Sequence, residues 1–155
     1  MKILVDADAC PVVKKIESVA RQHQIPVILF CDTSRILQSS YSQIEVVGAG
    51  PDAVDFALIK ECAAGDIVIT QDYGLAAMAL SKKAYALRCN GMRYTDENIV
   101  RMLEERHIVK KVRRTARMSA LRGLQMLGGR IDGNFRQTLD GLILEVMEKE
   151  TEPDE

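Results

Sequence analysis

The chain has 155 residues, of which 47% are hydrophobic and 28% charged, and its formal net charge is −1. This balance indicates one globular domain of ordinary size and excludes disorder as the state of most of the chain. No apolar run approaches the ~20 residues of a membrane span, and the first residues lack the basic start and long apolar core of a secretory leader. We therefore expect a cytoplasmic protein without a membrane partner; the composition leaves a homo-oligomer open.

Short apolar segments alternate with helical patterns along the chain. Strands are predicted at residues 2–6, 26–30, 44–47, 67–70 and 84–87, helices at 11–23, 52–63 and 73–82, and further helical segments from 95 to about 149. Such alternation predicts an α/β fold with three layers, in which a mostly parallel sheet of four or five strands carries helices on both faces. We expect a single domain over residues 1–150 with a helical C-terminal part, followed by a frayed acidic tail over 151–155.

Aspartates stand where the predicted strands end. Asp6 and Asp8 follow the first strand, Asp72 follows the fourth, and Asp55 lies near the start of the helix between strands three and four. The carboxyl ends of parallel strands share one edge, and ligands bind beyond it. Two carboxylates ~4 Å apart repel by roughly 4 kcal/mol at an effective dielectric near 20. A cluster of these four side chains therefore calls for a cation, and carboxylate oxygens suit Mg²⁺ or Mn²⁺.

Some of these aspartates also have ordinary structural explanations. Asp52 can be a helix N-cap, with Asp55 three residues on in the capping-box position. Asp8 can stabilise the N-terminus of the first helix, and Asp66, after Gly65, fits a turn. Asp52 and Asp66 are accordingly candidates either for structural roles or for supporting the metal ligands from nearby. Asp6 is the hardest to explain structurally, because a carboxylate that ends an apolar strand needs compensation.

Three segments resemble the YaiI/YqxD family of uncharacterised bacterial proteins. They are Val5-Asp-Ala-Asp-Ala-Cys-Pro11, Gly65-Asp-Ile-Val-Ile-Thr-Gln-Asp-Tyr-Gly-Leu-Ala76, and Arg93-Tyr-Thr95 with Asn98-Ile99. The pair Asp52 and Asp55 stands where members carry a similar acidic pair. The resemblance extends over roughly residues 1–107, and beyond it the Asp-Arg that usually precedes the last helix of members is absent.

The family is itself similar to PIN-like domains, which are nucleases with a Rossmann-type sheet and carboxylates that bind Mg²⁺ or Mn²⁺. The resemblance implies that Asp6, Asp55 and Asp72 are the metal ligands. Asp8 would complete the catalytic group by positioning or activating the attacking water. The first hypothesis for the function is thus a metal-dependent nuclease, with RNA as the favoured substrate.

A basic segment follows the acidic part of the chain. Its central residues are candidates for contact with a nucleic-acid backbone: Lys110, Lys111, Arg113, Arg114 and Arg117. A solvated basic helix face explains the same pattern equally well, and phosphate contacts would show themselves in the salt dependence of binding. The four cysteines, Cys10, Cys31, Cys62 and Cys89, form no CxxC pair. We therefore expect buried, reduced thiols and not a zinc site.

Two other functions compete with the nuclease. Asp6-Ala-Asp8 at the end of a first strand also fits the DxD motif of an aspartate-nucleophile phosphatase, although Asp72 lacks the adjacent acid which that class uses. The third hypothesis is a module that keeps the fold and binds nucleic acid without cleaving it. Trapping with beryllium fluoride separates the phosphatase from the others, and binding without turnover under Mn²⁺ identifies the module.

Overall fold

The computed structural model describes residues 1–32, 37–48, 52–115 and 134–151; for residue 9 and residues 106–115 it describes the backbone alone. The described strands are β1 (Ile3–Asp6), β2 (Val27–Asp32), β3 (Gln43–Val47), β4 (Ile67–Ile69), β5 (Tyr85–Leu87) and β6 (Arg93–Tyr94). The described helices are α1 (Val13–His23), α2 (Ala53–Glu61), α3 (Tyr73–Ser81), α4 (Asp96–Thr115) and α5 (Phe135–Thr151). A short 3-10 turn, Ala7–Ala9, separates β1 from α1.

The six strands form one sheet in the order β3-β2-β1-β4-β5-β6. All neighbours are parallel except β5 and β6, which are antiparallel, with Ala86 opposite Tyr94 and Leu87 opposite Arg93. The mostly parallel sheet is as predicted. It has six strands where four or five were predicted. The sequence did not indicate β6, because this strand has only two residues and no apolar run. The chain proceeds outward from β1 on one side and from β4 on the other. The carboxyl ends of β1 and β4 therefore flank the switch point at which such sheets bind ligands.

Helices cover both faces of the sheet, so the three-layer prediction is confirmed. The side chains of Ile3 and Val5 point to a core shared with α1 and α5, whereas Leu4 and Val68 point to a core shared with α2, α3 and the start of α4. This alternation follows from the two-residue period of a strand. β1 and β4 are buried on both faces, which explains their uninterrupted apolar sequences. The architecture is consistent with a PIN-like fold.

The last helix, α5, belongs to the main core. It packs against α1 and buries Phe135, Leu139, Leu142, Ile143 and Val146 together with residues of β1 and β4. On its outer side Glu145 pairs with Arg93 of β6, with Oε2 2.8 Å from Nη1. The helical C-terminal part thus shares the core of the sheet, as far as residues 134–151 are concerned.

The helix ends refine the predicted boundaries. Pro11 precedes α1, which begins at Val13, so this proline lies in the turn before the helix and not in its first turn. At the start of α4, Asn98 N–H donates to Thr95 Oγ1 and Thr95 N–H donates to Asn98 Oδ1, over 3.1 and 2.8 Å. This reciprocal pair caps the start of α4. Among the described helices, none has the length and apolarity needed to cross a bilayer.

Candidate metal site

Asp6 ends β1 at the switch point and is half-buried there. The pKa of its carboxyl is raised, chiefly by burial; the hydrogen bond from Thr70 opposes this rise, while the negative charges of Asp8 and Asp72 add to it. Burial of a carboxylate favours its neutral form, and like charges nearby act in the same direction. Asp6 is therefore a site whose ionised state is costly unless positive charge is supplied.

Asp55 reaches the same edge of the sheet from the first turn of α2. Burial, followed by the charges of Asp72, Asp6 and Asp52, raises its pKa to about 6. The acidic cluster, by which we mean Asp6, Asp8, Asp55 and Asp72, consists of half-buried side chains. Its members come from β1, the turn after it, α2 and the start of α3, and the charges of neighbouring members add to the rise in the pKa of Asp6 and of Asp55. Ligation of one shared metal ion by these side chains stays a prediction.

Thr70 connects two members of the acidic cluster. It is fully buried, and its Oγ1 donates to Asp6 Oδ2 over 3.0 Å while accepting from the backbone N–H of Asp72, also over 3.0 Å. Its carbonyl oxygen accepts from the hydroxyl of Tyr94 over 3.2 Å. Sequence reasoning missed Thr70, although a hydroxyl residue directly after the apolar Ile67–Ile69 is the signal that could have found it.

Asp72 and Asp8 each have a backbone partner as well. Asp72 is the N-cap of α3, and its Oδ1 accepts from the N–H groups of Gly74 and Leu75 over 2.8 and 3.4 Å. Asp8 accepts from the N–H of Asp32 over 3.2 Å, which connects the turn after β1 to the end of β2. Within the described part of the chain, no group of three or more His, Cys, Asp or Glu side chains is arranged closely enough to hold an ion as it stands. Shared ligation would therefore require side-chain rotation.

Asp52 and Asp66 behave differently from each other. Asp52 occupies the N-cap position of α2, but its exposed side chain makes no capping hydrogen bond and contributes only its charge to Asp55. Asp66 lies at the other end of β4. There it is buried, 2.6 Å from Lys2 Nζ, and accepts from the N–H groups of Lys2 and Ala63. Asp66 has a structural role at the amino-terminal end of β4. The acidic cluster lies at the carboxyl ends of the strands, so Asp66 cannot support ligands there.

Tyr73, which follows Asp72 in the chain, contacts Arg88, which follows β5. The Arg88 guanidinium carbon lies 5.6 Å from the centre of the Tyr73 ring, within cation–π range. Tyr73 also contacts Tyr94 edge to face, with ring centres 6.2 Å apart. Tyr94 is a core residue, since 1% of it is exposed. Sequence reasoning did not identify Arg88.

The predicted nucleic-acid contacts lie largely outside the described residues. Lys110, Lys111, Arg113 and Arg114 belong to the part of α4 for which only the backbone is described, and Arg117 lies outside the described residues altogether. Their contact with nucleic acid stays a prediction. The four cysteines are buried, as predicted, and none of them forms a disulfide.

Replacing Thr70 by valine tests the connection between Asp6 and Asp72. Valine keeps the shape but leaves the half-buried Asp6 carboxylate and the N–H of Asp72 without their partner, and an unsatisfied group costs ~1–3 kcal/mol where water does not replace the partner. We expect the Thr70→Val protein to lose about that much free energy of unfolding in urea titrations, with an unchanged slope. Thr70→Ser keeps the hydroxyl and is the matched control. Equal losses in the two variants would show that the loss of stability does not come specifically from the hydroxyl.

Comparison with known proteins places the chain among uncharacterised bacterial relatives. Residues 4–145 match the family model described as uncharacterised, YaiI/YqxD family. A UPF0178 protein of Clostridium acetobutylicum is 54% identical over 144 residues, covering 93% of this chain and 97% of the relative. A UPF0178 protein of Lachnoclostridium phytofermentans is 60% identical over 114 residues, covering 74% of this chain and 76% of its own. No solved structure matches the chain significantly.

Proposed function

The chain belongs to the YaiI/YqxD family, and we propose that its acidic cluster makes it a divalent-metal-dependent nuclease that acts on RNA. The observation that carries the proposal is the half-buried Asp6 at the switch point between β1 and β4, where burial and the charges of Asp8 and Asp72 raise the pKa of its carboxyl. A ligand site is expected at that point of an open parallel sheet. Carboxyls such as those of Asp6 and Asp55, whose pKa is raised by burial and by neighbouring negative charge, point to a cationic ligand.

The available donor atoms suit a hard cation. All the proposed ligand atoms, on Asp6, Asp55 and Asp72, are carboxylate oxygens, which Mg²⁺ and Mn²⁺ prefer. Histidine and thiolate ligands, typical of zinc sites, are not among them. When bound, such an ion neutralises charge on a phosphodiester and lowers the pKa of water.

Hydrogen bonds within the protein would orient the proposed metal ligands and the attacking water. The hydrogen bonds from Thr70 to Asp6 and from Gly74 to Asp72 hold one oxygen of each carboxylate in place, and the other oxygen of each is the proposed metal ligand. Asp8, fixed by the N–H of Asp32, would orient the attacking water. Phosphate oxygens of the substrate would need positive charge at the rim, and the basic stretch from Lys110 to Arg117 is the candidate for it.

The direct test is cleavage of a labelled single-stranded RNA by the purified protein. We expect products with Mg²⁺ or Mn²⁺ and none with EDTA. RNA binding that weakens with salt, without turnover under any divalent metal, would instead identify the non-catalytic module. A stable beryllium fluoride adduct would identify the phosphatase.

The raised pKa of Asp55 predicts how stability depends on pH. The carboxyl has a pKa of about 6 in the folded protein and 3.8 as its ordinary value. Between these values the folded state holds a proton that the unfolded state has lost, so stability falls as pH rises from about 4 to about 6. Asp55→Asn should remove most of this decline and raise Tm at pH 7.5 without metal. Asp96→Asn, an exposed change, is the control.

Bound Mn²⁺ should offset the repulsion between the carboxylates of the acidic cluster and so stabilise the folded protein. At ~100 times Kd the ion adds about 2.7 kcal/mol to the stability, so Tm at pH 7.5 should rise by several degrees in the unsubstituted protein and much less in Asp55→Asn. Melting curves with and without millimolar Mn²⁺ measure both effects. An unchanged Tm of the unsubstituted protein would count against a metal at the acidic cluster.

A further inference from the structure

Two of the four buried thiols lie in contact, beside the acidic cluster but outside it. Cys10 Sγ and Cys89 Sγ are 3.3 Å apart and share a hydrogen bond, although the residues are 79 positions apart in the chain. Cys10 follows the 3-10 turn that carries Asp8, and its N–H donates to the carbonyl of Ala7 over 3.3 Å. Cys89 lies in the tight turn between β5 and β6, closed by a 3.0 Å hydrogen bond from Gly91 N–H to the carbonyl of Arg88.

We propose that Cys10 and Cys89 are an oxidation site, at which a peroxide converts the neighbouring thiols into an intramolecular disulfide. The geometry favours this, because a disulfide requires the sulfur atoms to approach to ~2.05 Å, and they already lie 3.3 Å apart. Both residues are nearly but not wholly buried, at 8% and 6% exposure. A small oxidant such as hydrogen peroxide reaches thiols of such low exposure more easily than a bulky disulfide does.

The chemistry proceeds in two balanced steps. One thiolate attacks hydrogen peroxide, forms a sulfenic acid and releases hydroxide; the other thiol then attacks that sulfur, and water leaves as the S–S bond forms. The two thiols lose two electrons, which the peroxide takes up in becoming two waters. The S–H···S hydrogen bond lowers the pKa of Cys89 and raises that of Cys10. Cys89 is therefore the thiol better suited to the first attack.

Oxidation would change the surroundings of the proposed metal ligands. The bond would connect the segment that follows Asp6 and Asp8 covalently to the β5–β6 turn. It would close a long loop, and long closed loops restrict the unfolded chain most. We expect the oxidised protein to melt at a higher temperature and its amides at residues 7–10 to exchange more slowly with solvent.

The test uses the full chain, reduced and then treated with hydrogen peroxide. We expect the intact mass to fall by two hydrogen atoms, a single crosslinked peptide pair containing Cys10 and Cys89, and reversal by dithiothreitol. Free thiol should disappear at these two residues at least about tenfold faster than at Cys62, which is similarly buried at 5% exposure. Cys62→Ser should keep the crosslink, whereas Cys89→Ser and Cys10→Ala should each lose it.

Other outcomes overturn the proposal. A crosslink that includes Cys31 or Cys62, or sulfinic acid at single residues without a crosslink, would show that the contact does not direct the oxidation. So would a reaction that occurs only in urea, where all four cysteines are exposed. Because the crosslink is read from peptides and not from RNA cleavage, its result is independent of whether the protein is a nuclease.

Discussion

The Asp6→Asn protein is expected to fold normally and to lose metal-dependent cleavage of RNA. The amide keeps an oxygen that can accept the hydrogen bond from Thr70 Oγ1, so the end of β1 keeps its contact. It removes the charge that would hold the cation. A bound ion contributes several kcal/mol to the stabilisation of charge in the transition state, and ~1.4 kcal/mol corresponds to a tenfold change in rate. We therefore expect the rate to fall by more than about 100-fold.

The matched control for this variant is Asp66→Asn. Asp66 is an aspartate of the same sheet, but it lies at the opposite edge and pairs with Lys2. Its substitution should lower the stability while leaving the rate per folded molecule unchanged. Cleavage that persists in Asp6→Asn at the rate of the unsubstituted protein would point to a contaminating nuclease and contradict the assignment. Equal loss in both variants would point to a general effect on folding.

Truncating Phe135 should have the largest effect on stability. The side chain is 1% exposed, and it lies in the core that α5 shares with β1 and β4. Removal of a buried phenylalanine to alanine costs ~3–5 kcal/mol, because the transfer energy is lost and a cavity remains. For a chain of this size each kcal/mol corresponds to about 2–4 °C in Tm. We expect Phe135→Ala to melt roughly 10 °C lower by circular dichroism.

Leu144→Ala is the control on the same helix. Leu144 is 48% exposed, so its truncation should change the stability by less than about 1 kcal/mol. If Phe135→Ala melted like the unsubstituted protein, α5 would not be part of the cooperative core. The comparison thus tests the packing of the C-terminal helix directly.

The sequence predicted the elements around the acidic cluster better than it predicted their connections. An aspartate at the end of an apolar strand, as at Asp6, is an unusual pattern, and it indicated the sheet edge correctly. The order of the strands is a matter of pairing between distant segments, which periodicity does not encode. β6 was missed because two residues, Arg93 and Tyr94, hold their place through pairing with β5 and not through a pattern of their own.

For the site residues too, the position along the chain was easier to predict than the contacts. Asp72 was predicted as a ligand from its position after β4, but its role as N-cap of α3 depends on the backbone turn at Gly74. Thr70 was missed since its two partners are 64 and 2 positions away in the chain. The contact between Cys10 and Cys89 is likewise invisible in the sequence, because only the sheet order brings the turns after β1 and β5 together.

The central place of β1 has a consequence for how the protein folds during synthesis. β1 is made first, but its partner β4 begins at Ile67 and the helix that covers one of its faces ends at Thr151. These contacts join distant parts of the chain, and folds dominated by such contacts form slowly. During translation the apolar segment Ile3–Val5 must therefore remain without its full cover until residues 135–151 have left the ribosome. Ribosome-bound chains that end before Phe135 are in this state, in which exposed strands are prone to aggregate.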